Sequence, residues 1–313
     1  MKPVVVATGG NSLIDPALPP TVAHQFAATQ RAILPIADLV ERGVPLVITH
    51  GNGPQVGFMA LRSELSKGQL HEVPFDSLVA DTQGAIGYMM QQMLREELAR
   101  RGHPAQVVAV VTEIEVAADD PAFANPTKPI GGFYSEAEAQ RLMAERGWSM
   151  KSDAGRGWRR VVPSPDPKRV VQLDTIRTLV AAGVVVICCG GGGIPVVPSA
   201  HGLRGVEGVI DKDRASALLA ADLGAASLII TTGVDRVYRD FLTDHPTPLD
   251  RTTGAELAKL EADGQFPDGS MGPKIQAARR FLAGGGSAVH ICKPEALADA
   301  LEGRAGTLIT EPA

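Results

Sequence analysis

The stretch Val184-Val185-Val186-Ile187-Cys188-Cys189-Gly190-Gly191-Gly192-Gly193 decides the fold. Six consecutive apolar residues are too few for a membrane span and show no helical spacing. They read as a strand buried on both faces. Four glycines then give the backbone freedom that side chains would forbid, at a high entropic cost. A plain turn needs only one or two, so the run points to backbone N–H groups closing on a phosphate, with Gly190 and Gly191 nearest the strand.

Working outward, the same design recurs. The apolar run at 4–7 ends in Thr8-Gly9-Gly10-Asn11, and that at 44–49 ends in His50-Gly51-Asn52-Gly53-Pro54, where Pro54 can open the next helix. A fourth run, 227–232, ends in Gly233-Val234-Asp235. Helical periodicity fills the intervals at 22–42, 75–101, 172–182 and 213–223, each followed by a glycine stop. Strands at 106–112, 287–292 and 307–310, and helices at 254–263, up to 283 and at 294–301, continue the alternation. The expected fold is α/β, a three-layer αβα sandwich with a mainly parallel central sheet. Ligands in such sheets sit beyond the carboxyl ends of the strands, where the glycine loops lie.

Composition narrows the function. The chain has 313 residues, 44% hydrophobic and 21% charged, which suits a large folded core. No apolar run approaches a membrane span, and Met-Lys-Pro leads straight into a strand pattern, so neither a membrane partner nor a secretory signal is expected. A net charge of −5, with no basic stretch interleaved with aromatics, argues against nucleic acid. Cys188, Cys189 and Cys292 lie in apolar runs and form neither a disulfide framework nor a metal spacing, which suits buried thiols in the cytoplasm. Gly84 and Gly87 in the 75–101 helix permit close packing, within the chain or against another subunit. From about 117 to 162, Pro/Gly-rich stretches flank one short helix at 135–146, as expected of an inserted, lid-like subdomain within a single domain covering 1–313.

Of 30 basic residues only nine are lysine; the other 21 are arginine. Against that background three lysines stand out by their settings: Lys128 in Pro-Thr-Lys-Pro-Ile-Gly-Gly, Lys212 in Val-Ile-Asp-Lys-Asp, and Lys274 in Gly-Ser-Met-Gly-Pro-Lys. In isolation, Asp211-Lys212-Asp213 is a charged turn that caps a helix. Beside three glycine loops and two other isolated lysines, Lys212 reads as a phosphate ligand. The Walker pattern, the protein-kinase signatures, a metalloprotease motif and a nucleophile elbow are all absent. His50 is a weak candidate base. Glycine loops with lysines fit phosphoryl transfer, which asks the protein for alignment and positive charge rather than covalent chemistry.

The chain resembles the carbamate kinases of the amino-acid kinase superfamily. The similar segments include Thr49-His50-Gly51-Asn52-Gly53-Pro54, Asn125-Pro126-Thr127-Lys128-Pro129-Ile130-Gly131, Asp153-Ala154-Gly155-Arg156-Gly157-Trp158-Arg159, Gly190-Gly191-Gly192-Gly193-Ile194-Pro195, Ile210-Asp211-Lys212-Asp213 and Gly269-Ser270-Met271, in family order along nearly the whole chain. The resemblance implies the amino-acid kinase fold and the reaction ATP + carbamate ⇌ ADP + carbamoyl phosphate. It also implies Mg²⁺ carried by the nucleotide phosphates, a homodimer, and a place in arginine metabolism. By the same resemblance, Gly9, Gly10, Asn11, Gly51 and Asn52 hold the phosphoryl group and carbamate, and Lys128 reaches over the acceptor. Lys212 and Lys274 neutralise the transferring phosphate. Asp213 organises those lysines, while Asp211 is a cap or an outer carboxylate. Gly233, Val234, Asp235, Tyr238, Met271 and Pro273 line the nucleotide, in a lobe covering roughly 205–313. Thr8 and Gly132 depart from the family, which usually has Leu and Pro there. A kinase for another small carboxylate and a non-catalytic nucleotide sensor are the competing readings.

Overall fold

The computed structural model describes residues 1–313 apart from 10–12, 15–17, 20, 154, 242, 267–270 and 312–313. Gly10 and Asn11, and with them Gly269 and Ser270, lie outside the described residues.

An eight-stranded sheet forms the middle layer. Its order is Arg251–Thr253, Thr307–Thr310, Ala288–Cys292, Ser227–Thr231, Val4–Thr8, Leu46–His50, Val185–Ile187 and Val107–Ala109. All neighbours are parallel except Ala288–Cys292 with Thr307–Thr310. Val4–Thr8 sits at the centre and is buried along its whole length. Strand alternation explains why its residues are all apolar until Thr8. Val5, Ala7, Val47, Val186, Leu228 and Ile230 face one core with the helices Lys212–Asp222 and Gly272–Ala283. Val4, Val6, Leu46, Ile48, Val185 and Ile229 face the other, with the helices Val22–Glu41 and Phe75–Arg100. Each such buried aliphatic contributes roughly 1.5–3 kcal/mol, so the sheet is the most firmly held part of the molecule.

Two further sheets depart from the sequence expectation. Gly202–Gly205, Ile194–Ser199, Glu113–Val116 and Pro167–Val170 form a four-stranded sheet. Its strands carry Pro, Gly and charged residues, and the run expected at 106–112 ends at Ala109 before Glu113 begins this second sheet. Lys128–Tyr134, Gly157–Val162 and Met150–Asp153 form an antiparallel sheet in the inserted stretch, beside the helix Glu136–Arg146. The Pro/Gly-rich flanks at 119–132 and 153–167 thus contain strands. These are largely half-exposed and carry Gly, Pro and charged residues, so they show no apolar run. The helix was legible because Ser135 and Glu138 form a reciprocal capping box and Gly147 closes it in the left-handed conformation.

The inserted sheet reaches the main body through a small cluster in which Ile130 and Val162 pack with Val56, Phe75 and Val79. The backbones of Gly57 and Gly131 meet there; a Cβ on Gly57 would lie 2.4 Å from the Gly131 Cα.

In the helix Phe75–Arg100, Gly87 is an intramolecular contact, with Ala109 close against it, whereas Gly84 faces open space. Among the described residues, no helix is long and apolar enough to cross a membrane.

Candidate active site

The carboxyl ends of the central strands open into a cleft of about 530 Å³ bordered by Gly9, Gly51, Asn52, Gly191, Gly233, Pro273, Lys128, Lys212 and Lys274. A larger recess, about 800 Å³, opens at the opposite end of the sheet around Pro3, Pro45 and Val184. Its Arg177 is committed to Asp174 at 2.9 Å and to the Asp222 carbonyl at 2.5 Å, so it offers no comparable chemistry.

The helix Lys212–Asp222 organises the cleft. Asp211 is its N-cap: Oδ1 accepts from the N–H groups of Asp213 (2.9 Å) and Arg214 (3.3 Å). The other oxygen, Oδ2, accepts from Lys128 Nζ at 2.6 Å, 83 residues away in sequence. Asp211 is therefore both a cap and the partner of Lys128. Burial pushes its pKa up, but the charge and hydrogen bond of Lys128, with help from Lys212 and the Asp213 N–H, outweigh this and hold it well below the usual carboxylate range.

Asp213 divides its two oxygens between two lysines. Lys212 Nζ donates to Oδ1 at 2.6 Å, and Lys274 Nζ donates to Oδ2 at 3.1 Å. Lys274 is in the first turn of the helix Gly272–Ala283, so two helix starts and one carboxylate bring both ammoniums to one place. Lys212 also reaches the Ala7 carbonyl at 3.5 Å. Burial lowers its pKa, while Asp213 opposes that shift and Lys274 adds to it.

A layer of hydroxyls fixes the loops beneath. Thr8 Oγ1 donates to the Thr49 carbonyl at 2.9 Å, which satisfies the buried hydroxyl. Gly9 N–H donates to Thr231 Oγ1 at 3.1 Å, Gly51 N–H to the Thr8 carbonyl at 3.1 Å, and Thr49 and Ser216 hydroxyls meet at 2.6 Å. Asn52 Nδ2 donates to Thr82 Oγ1 at 3.2 Å. These contacts tie three strand ends to one another and to the helices that carry Ser216 and Thr82.

The four-glycine run is explained by packing within the protein. Added Cβ atoms would meet His50 Nε2 at 2.4 Å from Gly190, Asn52 Nδ2 at 2.2 Å from Gly191, the Ile210 carbonyl at 2.2 Å from Gly192, and Ile114 Cγ1 at 2.3 Å from Gly193. Gly191, Gly192 and Gly193 also have φ of +65°, +94° and +83°. Gly191 borders the cleft; Gly190 instead lies under it against His50 and Gln83. His50 is wholly buried, bonded to the Gly51 carbonyl at 2.9 Å, and burial lowers its pKa to about 4. It is a neutral packing residue and not a base facing the cleft.

Of the residues assigned to the nucleotide, Gly233 and Pro273 border this cleft; Val234, Asp235, Tyr238 and Met271 do not. Asp235 accepts from the Tyr238 hydroxyl at 2.8 Å, and the Tyr238 and Phe241 ring centroids are 5.9 Å apart. Sequence reading gave no role to Arg159 or to Thr231 and Thr232, which also border the cleft. The threonines were signalled only by their place at a strand end.

A model of the amino acid kinase family matches residues 2–293. The chain belongs to the amino acid kinase family. Within the family, it is 46% identical over 310 residues to the carbamate kinase of Pyrococcus horikoshii, covering 98% of each chain, and 45% identical over 312 residues to that of Staphylococcus haemolyticus, covering 99% of each. The structure superposes on the Giardia lamblia carbamate kinase bound to citric acid with a TM-score of 0.93, at 40% identity and 99% coverage of both chains; the AMP-PNP complex of that Giardia enzyme gives 0.91 at 39% identity, again with 99% of both chains covered. The amino acid kinase fold extends further: an N-acetylglutamate synthase from Neisseria gonorrhoeae is 16% identical with a TM-score of 0.59, covering all of this chain and 60% of the synthase. Family membership thus accounts for the sheet and its arrangement of loops.

Proposed function

We propose that the chain transfers a phosphoryl group reversibly between ATP and carbamate, giving ADP and carbamoyl phosphate. The observation that carries this reading is the convergence of Lys128, Lys212 and Lys274, from three separate segments, on one cleft with Asp211 and Asp213. Carbamate is already an anion, so its attack on a phosphorus needs no general base, and the buried, neutral His50 supplies none. Lys212 and Lys274 stand where negative charge grows on the transferring oxygens, and Asp213 holds both in place. The loop N–H groups at Gly9 and Gly51 orient the phosphoryl group between donor and acceptor.

In this reading the inserted segment, 117–162, is a lid that brings Lys128 over the acceptor, and roughly 205–313 holds the nucleotide. Val234, Asp235, Tyr238 and Met271 contact the nucleotide beyond the cleft described above. Among the described residues no three His, Cys, Asp or Glu side chains gather as a metal cage, and Asp211 and Asp213 are committed to lysines. Mg²⁺ would be carried by the nucleotide phosphates and would supply charge neutralisation there. A homodimer through the exposed face around Gly84 and Tyr88, in the cytoplasm and in arginine metabolism, completes the proposal.

The test is direct. Purified protein given Mg²⁺, ADP and carbamoyl phosphate makes ATP, and Lys212→Ala lowers kcat by about 10²–10³ with little change in nucleotide KM. Wild-type ATP formation no greater than that of Lys212→Ala sinks the reading.

A further inference from the structure

Two adjacent arginines on the strand Gly157–Val162 face opposite ways, as alternation requires. Arg160 turns away from the cleft. Its guanidinium lies 4.2 Å from the Trp148 ring centroid and 5.1 Å from that of Phe75, between the inserted segment and the main body. Arg159 turns to the cleft and borders it with Lys128 and Gly131.

The surroundings of Arg159 hold its guanidinium without neutralising it. Nη2 donates to the Gly131 carbonyl at 3.0 Å, and the Phe133 ring lies beneath with its centroid 5.2 Å away. The carboxylate of Asp153 is 3.9 Å from Nη1, too far for a hydrogen bond, and both of its oxygens already accept from Arg156 at 2.8 and 3.1 Å. Among the described residues, Nε is buried with no partner. Burial lowers the pKa of the group, only partly offset by Asp153. A cation half withdrawn from water, with an unmet N–H, is a costly arrangement at rest. An anion in the cleft offsets the desolvated charge, though it does not reach the buried Nε.

We propose that Arg159 is a second ligand for the acceptor, acting beside Lys128 and selecting a planar anion. This rests on the carbamate reading above. Carbamate presents a flat three-atom anionic end, and a guanidinium presents a flat fork of donors, whereas the Lys128 ammonium is a point charge. Gly131 and Phe133 set the plane of that fork before the ligand arrives, so little entropy is lost on binding. The sequence hid this residue among Arg156, Arg159 and Arg160; only a strand assignment separates the cleft-facing arginine from its neighbours.

Arg159→Gln, Arg159→Lys and Arg160→Gln test the inference together. Arg159→Gln raises the KM for carbamoyl phosphate about ten- to hundredfold, leaves the KM for ADP and the Tm near wild type, and recovers in part with added guanidinium ion. Arg159→Lys, which keeps the charge and loses the fork, stays well short of wild type. Arg160→Gln serves as the packing control and shifts Tm and both KM values together. An unchanged KM for carbamoyl phosphate in Arg159→Gln overturns the proposal, as does a pattern matching Arg160→Gln. Calorimetric titration with bicarbonate, a planar anion that undergoes no transfer, separates this from the reaction itself. Weaker bicarbonate binding in Arg159→Gln, with inorganic phosphate binding little changed, supports the ligand role even if the wild type makes no ATP; equal bicarbonate binding refutes it.

Discussion

The floor of the cleft and the segment above it are held by different forces. The floor consists of strand ends from a sheet buried on both faces, joined by hydrogen bonds from Thr8 to the Thr49 carbonyl, between the Thr49 and Ser216 hydroxyls, and from Thr231 to the Ala7 carbonyl. Its two lysines share one buried carboxylate. The inserted segment is a small antiparallel sheet of largely half-exposed residues, fastened by one apolar cluster, the Gly57–Gly131 contact, an Arg146–Glu64 ion pair and the Lys128–Asp211 bond. Contacts are thus concentrated in the floor, and the inserted segment, which the proposed function sets over the acceptor, is more lightly held. Changes in the floor should affect both catalysis and stability, whereas changes above it should affect mainly the acceptor.

The sharpest way to break this contrast is Asp213→Ala. It strips two ammoniums of their shared partner, so kcat should fall about a thousandfold or more and stability by about 3–5 kcal/mol. Urea unfolding and steady-state rates measure both, and a variant of near wild-type stability would show that the floor is not held as described. Next in size is an acid effect beneath the floor. Burial lowers the pKa of His50 from 6.5 to about 4, so above pH 6.5 folded and unfolded forms are both neutral and the full stability is present. As pH falls through this window the unfolded chain takes up the proton first, and up to roughly 3 kcal/mol is lost by pH 4. Urea midpoints measured between pH 7 and 4 should therefore fall less steeply for His50→Gln; equal slopes would place the acid sensitivity elsewhere. The smallest effect is expected from Lys128→Ala. Carbamoyl phosphate KM should rise about tenfold while stability changes by less than about 1 kcal/mol, because this half-exposed lysine leaves Asp211 its N–H partners and Lys212. Nucleotide KM and thermal unfolding complete the check, and a large drop in Tm would show that the segment depends on this bond.

The same contrast governed what could be read from the sequence. Strands of the main sheet are legible because burial on both faces forces unbroken apolar runs, as at Val4–Thr8 and Val185–Ile187. The strands Lys128–Tyr134 and Gly157–Val162 carry Gly, Pro, Arg and aromatic residues in no simple alternation, since their neighbours are partly solvent. Lys212 and Asp213 are adjacent in sequence, so their pairing could be anticipated. The Lys128–Asp211 bond spans 83 residues and depends on how the inserted segment docks. Asp211 consequently read as a cap or an outer carboxylate, without its lysine. The run Gly190–Gly193 was visible, but the packing that requires it was not. The reading invoked backbone approach to a phosphate; the contacts that exclude side chains there come from His50, Asn52, Ile210 and Ile114, and Gly191 also borders the cleft.

The sharing of Asp213 has a further consequence. Among the described residues, Lys128, Lys212, Lys274 and Arg159 place four cations around a cleft bordered by two carboxylates, Asp211 and Asp213, although the chain as a whole carries a net charge of −5. These residues make the cleft a locally positive surface on a negative molecule. Its affinity for any phosphate-bearing ligand is then a function of ionic strength, because mobile counter-ions compete for the same field. Free phosphate and other small multivalent anions in the surrounding medium become competitors by charge alone, and the working occupancy of the site follows the ionic composition of its surroundings as much as the concentration of its substrates.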